Sequence, residues 1–193
     1  MIGNDIVDLQ VAKKESNWQR RGFLDKLFTS EEQELITSSS DPFQMVWLLW
    51  TMKESAYKAF LQQDYNRIFS PKSIRINLIS KSKATVLIHN TTFYTHSEIN
   101  EELIHTIASS QKGARILSSD FFKLNNTVYE ARHLETYHKT LQAFSGRLKL
   151  SPVIFEIRKD RQGIPYLYQN KIRLMHSLSI TQHGSFGAFC IGP

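Results

Sequence analysis

The segment WTMKESAYKAF, residues 50–60, places three charged side chains inside an otherwise apolar run. Residues three and four positions apart are neighbours on a helix, so Glu54 and Lys58 share a face with Trp50 and with a second tryptophan one turn earlier. Lys53 adds a second cation beside this face. One interpretation is that Glu54 and Lys58 simply form an exposed i,i+4 ion pair. The alternative is that the face points inward with its tryptophans, where buried charges must be paired or bind a metal ion.

A second carboxylate stands in apolar surroundings at Asp5, in IGNDIVDL, residues 2–9, which we predict to be a strand. An acid in such a strand is either a satisfied core residue or a ligand. Magnesium is commonly held by one or two carboxylates together with substrate phosphates, and lysine is a good point-charge partner for phosphate. Asp5 and Glu54, with Lys53 and Lys58 nearby, therefore form a candidate site for metal-assisted chemistry on a pyrophosphate.

Hydrophobic periodicity and capping signals predict the other elements of the first half of the chain. We expect a helix in two pieces over residues 18–36, the second capped by Thr29 or Ser30, and a long helix that Asp41 caps and that reaches about Leu61. Strands are expected within residues 73–79 and 83–90, and residues 98–109 fit either a helix or a strand, with their alternation favouring a strand.

In the second half we expect an amphipathic helix over residues 127–144, with Asn126 as its cap and Gly146 just beyond its end. The expected strands cover residues 153–159, 171–180 and 185–191, with a turn at Gly163 and Pro165. The order of helices followed by strands occurs twice along the chain. It predicts an α+β fold of two halves, residues 1–110 and 120–193.

Composition narrows the class of protein. The chain of 193 residues has a formal net charge of +6 and one cysteine, Cys190, and contains no membrane-length apolar run and no signal-peptide pattern. We expect a cytoplasmic protein without a membrane segment and with an anionic partner. A nucleic-acid-binding module is the weaker alternative, because the basic residues are dispersed and no nucleic-acid-binding motif is present.

The two charged segments resemble the signature of the 4′-phosphopantetheinyl transferase superfamily, and GNDIVDL is similar to the opening of the holo-acyl-carrier-protein synthases. The signature is G-x-D, followed about fifty residues later by W-x-x-K-E-x-x-x-K. The matching residues are Gly3, Asp5, Trp50, Lys53, Glu54 and Lys58.

Two C-terminal blocks extend the resemblance. GIPYL, residues 163–167, is similar to the family's G-K-P-x-L block, with Ile164 at the lysine position. HSLSITQHGSFGAFCI resembles its I-S-H-S-G turn, with Thr181 at the serine position, Gln182 at the histidine position and His183 one residue later.

The resemblance implies a 4′-phosphopantetheinyl transferase-like fold of two similar halves. The chain is as long as the family members in which two halves are fused. In those members the I-S-H-S-G block comes before the G-x-D motif, whereas here the corresponding block comes last, so the order of blocks looks circularly permuted. We therefore expect an intramolecular pseudo-dimer, a monomer with one active site in the cleft between its halves.

The implied reaction transfers the 4′-phosphopantetheine arm of coenzyme A to a serine of an apo acyl or peptidyl carrier protein and releases 3′,5′-ADP. Asp5 and Glu54 would hold Mg²⁺ or Mn²⁺, and Lys58 would supply catalytic positive charge. Either Glu54 or a water that it orients would accept the serine proton. The residues implied in binding coenzyme A are Lys53, Lys58, Arg132, Thr181 and His183. A family member that has lost activity and only binds coenzyme A or a carrier protein is the alternative.

Overall fold

The computed structural model describes residues 1–63 and 69–193 and shows a mixed α+β fold. The first half contains β1 Ile2–Asp8, α1 Leu9–Glu15, α2 Phe23–Leu27, α3 Ser30–Thr37, α4 Pro42–Leu61, β2 Arg75–Ser80, β3 Lys83–Ile88, β4 Thr91–Ile99 and β5 Leu103–Ser109. The second contains β6 Ser118–Lys123, α5 Tyr129–Leu148, β7 Phe155–Lys159, β8 Pro165–Gln169, β9 Ile172–Arg173, β10 Leu178–His183 and β11 Phe186–Ile191.

In the first half, α4 packs across an antiparallel sheet with the strand order β1-β5-β4-β3-β2. Gly3 lets β1 come close to α4, since a Cβ at this position would stand 2.0 Å from the carbonyl oxygen of Ser55. Asp5 is opposite Thr106 of β5, whose Oγ1 lies 2.8 Å from Thr51 Oγ1 of α4. The sheet face that carries Asp5 is therefore the face that α4 covers.

The caps of α3 and α4 confirm two predictions. Thr29 Oγ1 accepts a hydrogen bond from Glu32 N, and the Glu32 carboxylate accepts one from Thr29 N, which completes a capping box. Asp41 caps α4 by accepting a hydrogen bond from Gln44 N, with Pro42 at the first position. Both helices therefore begin where the sequence places them.

The second half consists of α5 and two three-stranded sheets, with the orders β10-β11-β6 and β7-β8-β9. Its predicted helix ends differ from the structure. Asn126 does not cap α5, because its Nδ2 donates to the Glu135 carboxylate. Gly146 lies inside the helix, which ends at Leu148 and is followed by its C-cap Lys149 in the left-handed conformation. The segment 171–180 is not one strand but is divided between β9 and the start of β10.

Four elements were not predicted: α1, β4, β6 and β8. The helix α1 has only seven residues, too short for a clear amphipathic period, and is stabilised by its cap Asp8. The strand β8 begins at Pro165, directly after the expected turn at Gly163, whose φ is +81°. Proline at the first position of a strand loses no ladder hydrogen bond that the strand needs.

The two halves meet along β1 and β10. Asn4 N donates to Ser179 Oγ at 2.9 Å, and Asp8 N donates to His183 Nδ1 at 3.0 Å. Gln62 Nε2 bridges both strands by donating to the carbonyl oxygens of Ile2 and Leu178. A buried apolar cluster also spans the junction; its members are Ile6, Leu103, Phe186 and Ala188. The resemblance of one half to the other stays a prediction.

Within the described parts of the chain, no helix is both long enough and apolar enough to cross a membrane.

Candidate active site

Three side chains from three elements meet where β1, α4 and β10 come together. Lys58 Nζ lies 2.7 Å from Asp5 Oδ1, and the same oxygen accepts a hydrogen bond from Thr181 Oγ1 at 3.0 Å. Lys58 also contacts the carbonyl oxygen of Asn4 at 3.1 Å and Thr181 Oγ1 at 3.2 Å. The side chain of Asp5 is 11% exposed and that of Lys58 29%, so the pair can be reached from solvent. We call Asp5, Lys58 and Thr181 the junction cluster.

Glu54 stands on α4 one turn before Lys58 and is partly buried. Asp5 Oδ2 accepts no hydrogen bond from the described residues, because both bonds to this carboxylate go to Oδ1. Carboxylate oxygens suit Mg²⁺ and Mn²⁺, and the role of Asp5 and Glu54 as ligands of such an ion stays a prediction. No group of three His, Cys, Asp or Glu ligands occurs in residues 1–63 and 69–193.

A pocket of about 280 Å³ adjoins the junction cluster and is formed by both halves. It is lined by Lys58, Leu61, Gln62, Tyr129, His133, Tyr137, Lys159, residues 162–165 and residues 178–182. Two lysines, Lys58 and Lys159, reach it, and no aspartate or glutamate is among its described lining residues. The pocket therefore favours an anionic ligand.

Lys53 lies apart from this pocket, contrary to the prediction that it faces a phosphate. Its side chain is 0% exposed and pairs with the buried Glu32 at 2.6 Å. The ammonium also donates to the carbonyl oxygens of Leu27, Pro71 and Ile74. Burial lowers the pKa of Lys53, and the Glu32 carboxylate opposes that shift. Lys53 therefore stabilises the core around α4.

Arg132 and His183 line a second cavity, on the side of α1 and the β10–β11 turn. Arg132 Nη1 donates to the carbonyl oxygen of Gly184 at 2.6 Å, and His183 Nδ1 accepts from Asp8 N. Thr181 and Gln182 of the same block line the first pocket, and the buried Oε1 of Gln182 has no partner among the described residues. The predicted coenzyme A residues are thus divided among the junction cluster, the second cavity and the core.

Asp8 has a role that sequence reasoning missed. It is buried, its Oδ1 accepts from Gln10 N and Val11 N, and its Oδ2 accepts from Ser185 N at 2.9 Å. Asp8 thus caps α1 and at the same time fixes the β10–β11 turn to β1. Aspartate is a common N-cap residue, so the capping role could have been predicted from the sequence. The bond to Ser185 could not, because this partner is distant in the chain.

His105 lies on β5, opposite Ile6 of β1, and is buried. Its Nε2 is 3.2 Å from Asn4 Nδ2, and its ring meets Phe121 edge to face. Burial lowers the pKa of His105 from 6.5 to about 4, so the imidazole is neutral at neutral pH. A neutral ring accepts the amide hydrogen of Asn4, the residue next to Asp5.

This combination of the Asp5 carboxylate, Lys58 and an anion-favouring pocket between two α+β halves is suited to the transfer of a phosphate-linked group. The family model of the 4′-phosphopantetheinyl transferase superfamily (ACPS) matches residues 1–114, and the chain belongs to that superfamily. The matched region carries Asp5, Glu54 and Lys58. No curated protein matches the chain.

Proposed function

We propose that the protein transfers the 4′-phosphopantetheine arm of coenzyme A to a serine of an apo acyl or peptidyl carrier protein and releases 3′,5′-ADP. The observation that carries this proposal is the junction cluster beside the pocket. It joins Asp5 and Lys58 of the family-matched region to Thr181 of the second half. Membership of the superfamily supports the reaction class, and the basic pocket supports a phosphate-bearing substrate.

In the proposed reaction the carrier serine oxygen attacks the phosphorus on the pantetheine side of the pyrophosphate. The new Oγ–P bond forms as the bond from that phosphorus to the bridging oxygen breaks, and the electron pair leaves with 3′,5′-ADP. Glu54, or a water that it orients, accepts the serine proton. Lys58 supplies fixed positive charge in a partly desolvated site, where charge develops on the phosphate oxygens.

Asp5 and Glu54 are the residues that would hold Mg²⁺, or Mn²⁺, which when bound neutralises pyrophosphate charge. The Thr181 hydroxyl contacts both Lys58 Nζ and Asp5 Oδ1, and its hydrogen bond to Oδ1 orients the carboxylate. In this proposal β1 and α4 supply the metal-binding acids and the cation, and Thr181 of β10 completes the junction cluster.

We further propose that the protein acts as a monomeric pseudo-dimer in the cytoplasm, with residues 1–110 and 120–193 as its halves. The contacts of Asp5 and Lys58 with Thr181 support this, because they join both halves of one chain in one site. A sedimentation mass equal to a trimer would contradict it.

The decisive experiment is the intact mass of an apo acyl carrier protein after incubation with this protein, coenzyme A and Mg²⁺. We expect a gain of one phosphopantetheine arm that is lost without metal or with Glu54→Gln. Lys81→Met, which removes an exposed lysine of the turn between β2 and β3, is the control and should keep the gain. No gain with any acyl or peptidyl carrier tested would refute the proposal.

A family member that only binds coenzyme A or a carrier protein is the second candidate. It is favoured by Gln182, a neutral side chain at the family's histidine position that lines the pocket. Calorimetric binding of coenzyme A without any mass gain would select it.

A further inference from the structure

The sheet of the first half carries a groove of about 420 Å³ on the face that α4 leaves open. Lys83, His96 and Ile107 lie in one row across β3, β4 and β5, because His96 is paired with both of the others. Thr106, next to Ile107 in β5, points toward α4, so the row lies on the opposite face of the sheet. All three residues of the row line the groove, which we call the outer groove. The sheet therefore separates it from Asp5, which lies on the face that α4 covers.

The segment that joins the two halves of the chain forms one wall of the outer groove. The lining residues of this wall are Lys112, Gly113, Ala114 and Ile116. Backbone hydrogen bonds fix both ends of the segment. Ser110 N donates to the carbonyl oxygen of Met1 at 3.1 Å, and Leu117 N donates to that of Ile191 at 2.8 Å. The wall is therefore tied to the body of the protein, and the groove is preformed, as ligand pockets usually are.

The lining of the outer groove combines apolar surface with positive charge. Ile79 of β2, which is 64% exposed, lines the groove together with Ile107 and Ile116. Contiguous apolar surface left open to solvent marks binding sites. Two lysines, Lys83 and Lys112, line the same groove, and no aspartate or glutamate is among its described lining residues. The groove therefore favours a ligand that has both an apolar part and a negative charge.

We infer that the outer groove binds an amphipathic carboxylate, a molecule with an alkyl chain and one carboxylate head. The chain lies against Ile79, Ile107 and Ile116, and this contact removes their apolar surface from water. The head is held by Lys83 and Lys112 through charge-assisted contacts. A small anion would leave the apolar surface exposed, and a neutral chain would make no use of the lysines. The volume of about 420 Å³ lies within the range of small-molecule pockets, about 300–1,000 Å³.

The test is calorimetric titration of the full chain with decanoate, decanol and acetate, each at concentrations where it stays monomeric. We expect decanoate to bind more tightly than decanol, and acetate not to bind measurably, because the chain and the head both contribute. Lys83→Met and Lys112→Met should each weaken decanoate binding about tenfold and leave decanol binding unchanged, since one charge-assisted contact is lost. Lys159→Met, the same change in the first pocket, should alter the binding of neither ligand.

Ile79→Ser tests the apolar part of the outer groove. It should weaken decanoate and decanol binding alike, by about five- to tenfold, because less apolar area is removed from water. Ile172→Ser is the matched control, since Ile172 on β9 is 71% exposed and does not line the groove. Ile79, Lys83 and Lys112 are exposed, so all three variants should fold, and far-ultraviolet circular dichroism checks this.

Absence of decanoate binding, equal affinities for decanoate and decanol, or native decanoate affinity in either variant of Lys83 and Lys112 would overturn the inference. An equal loss in Ile79→Ser and Ile172→Ser would overturn it as well. So would weakened decanoate binding in Lys159→Met, which would place the ligand in the first pocket. The result is independent of the proposed function, because none of these measurements uses coenzyme A or a carrier protein.

Discussion

Lys53 and Glu32 form a buried ion pair at 2.6 Å, with side chains 0% and 1% exposed. Each also holds backbone: the lysine donates to three carbonyl oxygens, and the Glu32 carboxylate accepts from Thr29 N and Ile76 N. The pair therefore joins α4 to the last residue of α2, to the cap of α3 and to the start of β2. Lys53, the first of the two signature lysines, is therefore part of the scaffold that holds α4 in place.

Lys53→Met should lower the free energy of unfolding by about 3–5 kcal/mol, because it leaves the Glu32 carboxylate buried without its cation. Denaturant titration measures the loss. Lys53→Met combined with Glu32→Leu should recover part of the stability, since no buried charge remains. A folded Lys53→Met protein with native stability and a raised KM for coenzyme A would instead restore Lys53 to the substrate site.

Asp5→Asn and Lys58→Met should each lower kcat by about 100-fold or more, because the first removes a proposed metal ligand and the second removes positive charge beside the reacting phosphate. The double variant should lose less than the product of the two effects, since the side chains act as a pair. Single-turnover mass spectrometry of carrier modification gives the rates. Multiplicative losses in the double variant would show that the two residues act independently.

Gly3→Ala should destabilise the protein by about 3 kcal/mol and lower activity, since the new Cβ would meet backbone atoms of Ser55 and Ala59 at 2.0 and 2.6 Å. Relief requires β1 to move away from α4, and Asp5 moves with it. Gly146→Ala is the matched control. Nothing lies within 4 Å of that position in α5, so the change should stabilise the helix by about 0.5–1 kcal/mol. Thermal unfolding of both variants measures the contrast; equal effects would contradict the close approach at Gly3.

Acid should destabilise the fold through His105. Its pKa falls from 6.5 to about 4 on folding, so below pH 6.5 the unfolded chain binds a proton that the folded chain excludes. This cost grows as the pH falls from 6.5 to about 4 and amounts to about 2 kcal/mol between pH 7 and pH 5. His105→Gln should remove that part of the pH dependence, whereas the exposed His96→Gln should retain it. Denaturant unfolding at both pH values decides the point; identical pH dependence in native and His105→Gln proteins would refute it.

Raising the salt concentration should weaken binding of an acidic carrier protein, because the chain has a net charge of +6 and exposed charge pairs are screened. Surface plasmon resonance at increasing NaCl concentrations measures the effect, and the change should appear mainly in the association rate. An affinity independent of salt would remove electrostatic steering from the proposal.

The sequence was informative where the relevant signal is local. The caps Thr29 and Asp41, the length of α4 and the alternation in β2 and β3 depend on near neighbours, and all agree with the structure. The family motifs identified Asp5 and Lys58, which the structure places in contact. The environment of Lys53 and the hydrogen bond from Ser185 N to Asp8 could not be predicted, because the partners lie 18 to 177 residues away in the chain. The helix α1 was missed because seven residues show no clear period, and β4 because two of its buried positions, Thr95 and Ser97, carry polar side chains.

The pairing of β1 with β5 and its contact with β10 also set an order of events during synthesis. The ribosome makes Asp5 before its hydrogen-bond partner Thr181, which follows 176 residues later in the chain. At about 5–20 residues per second, that delay is on the order of 10 seconds or more. Throughout this interval β1, which is buried along its length in the finished fold, has no β10 to contact. A nascent chain arrested before Leu178 can therefore contain the complete family signature and still lack an assembled junction cluster.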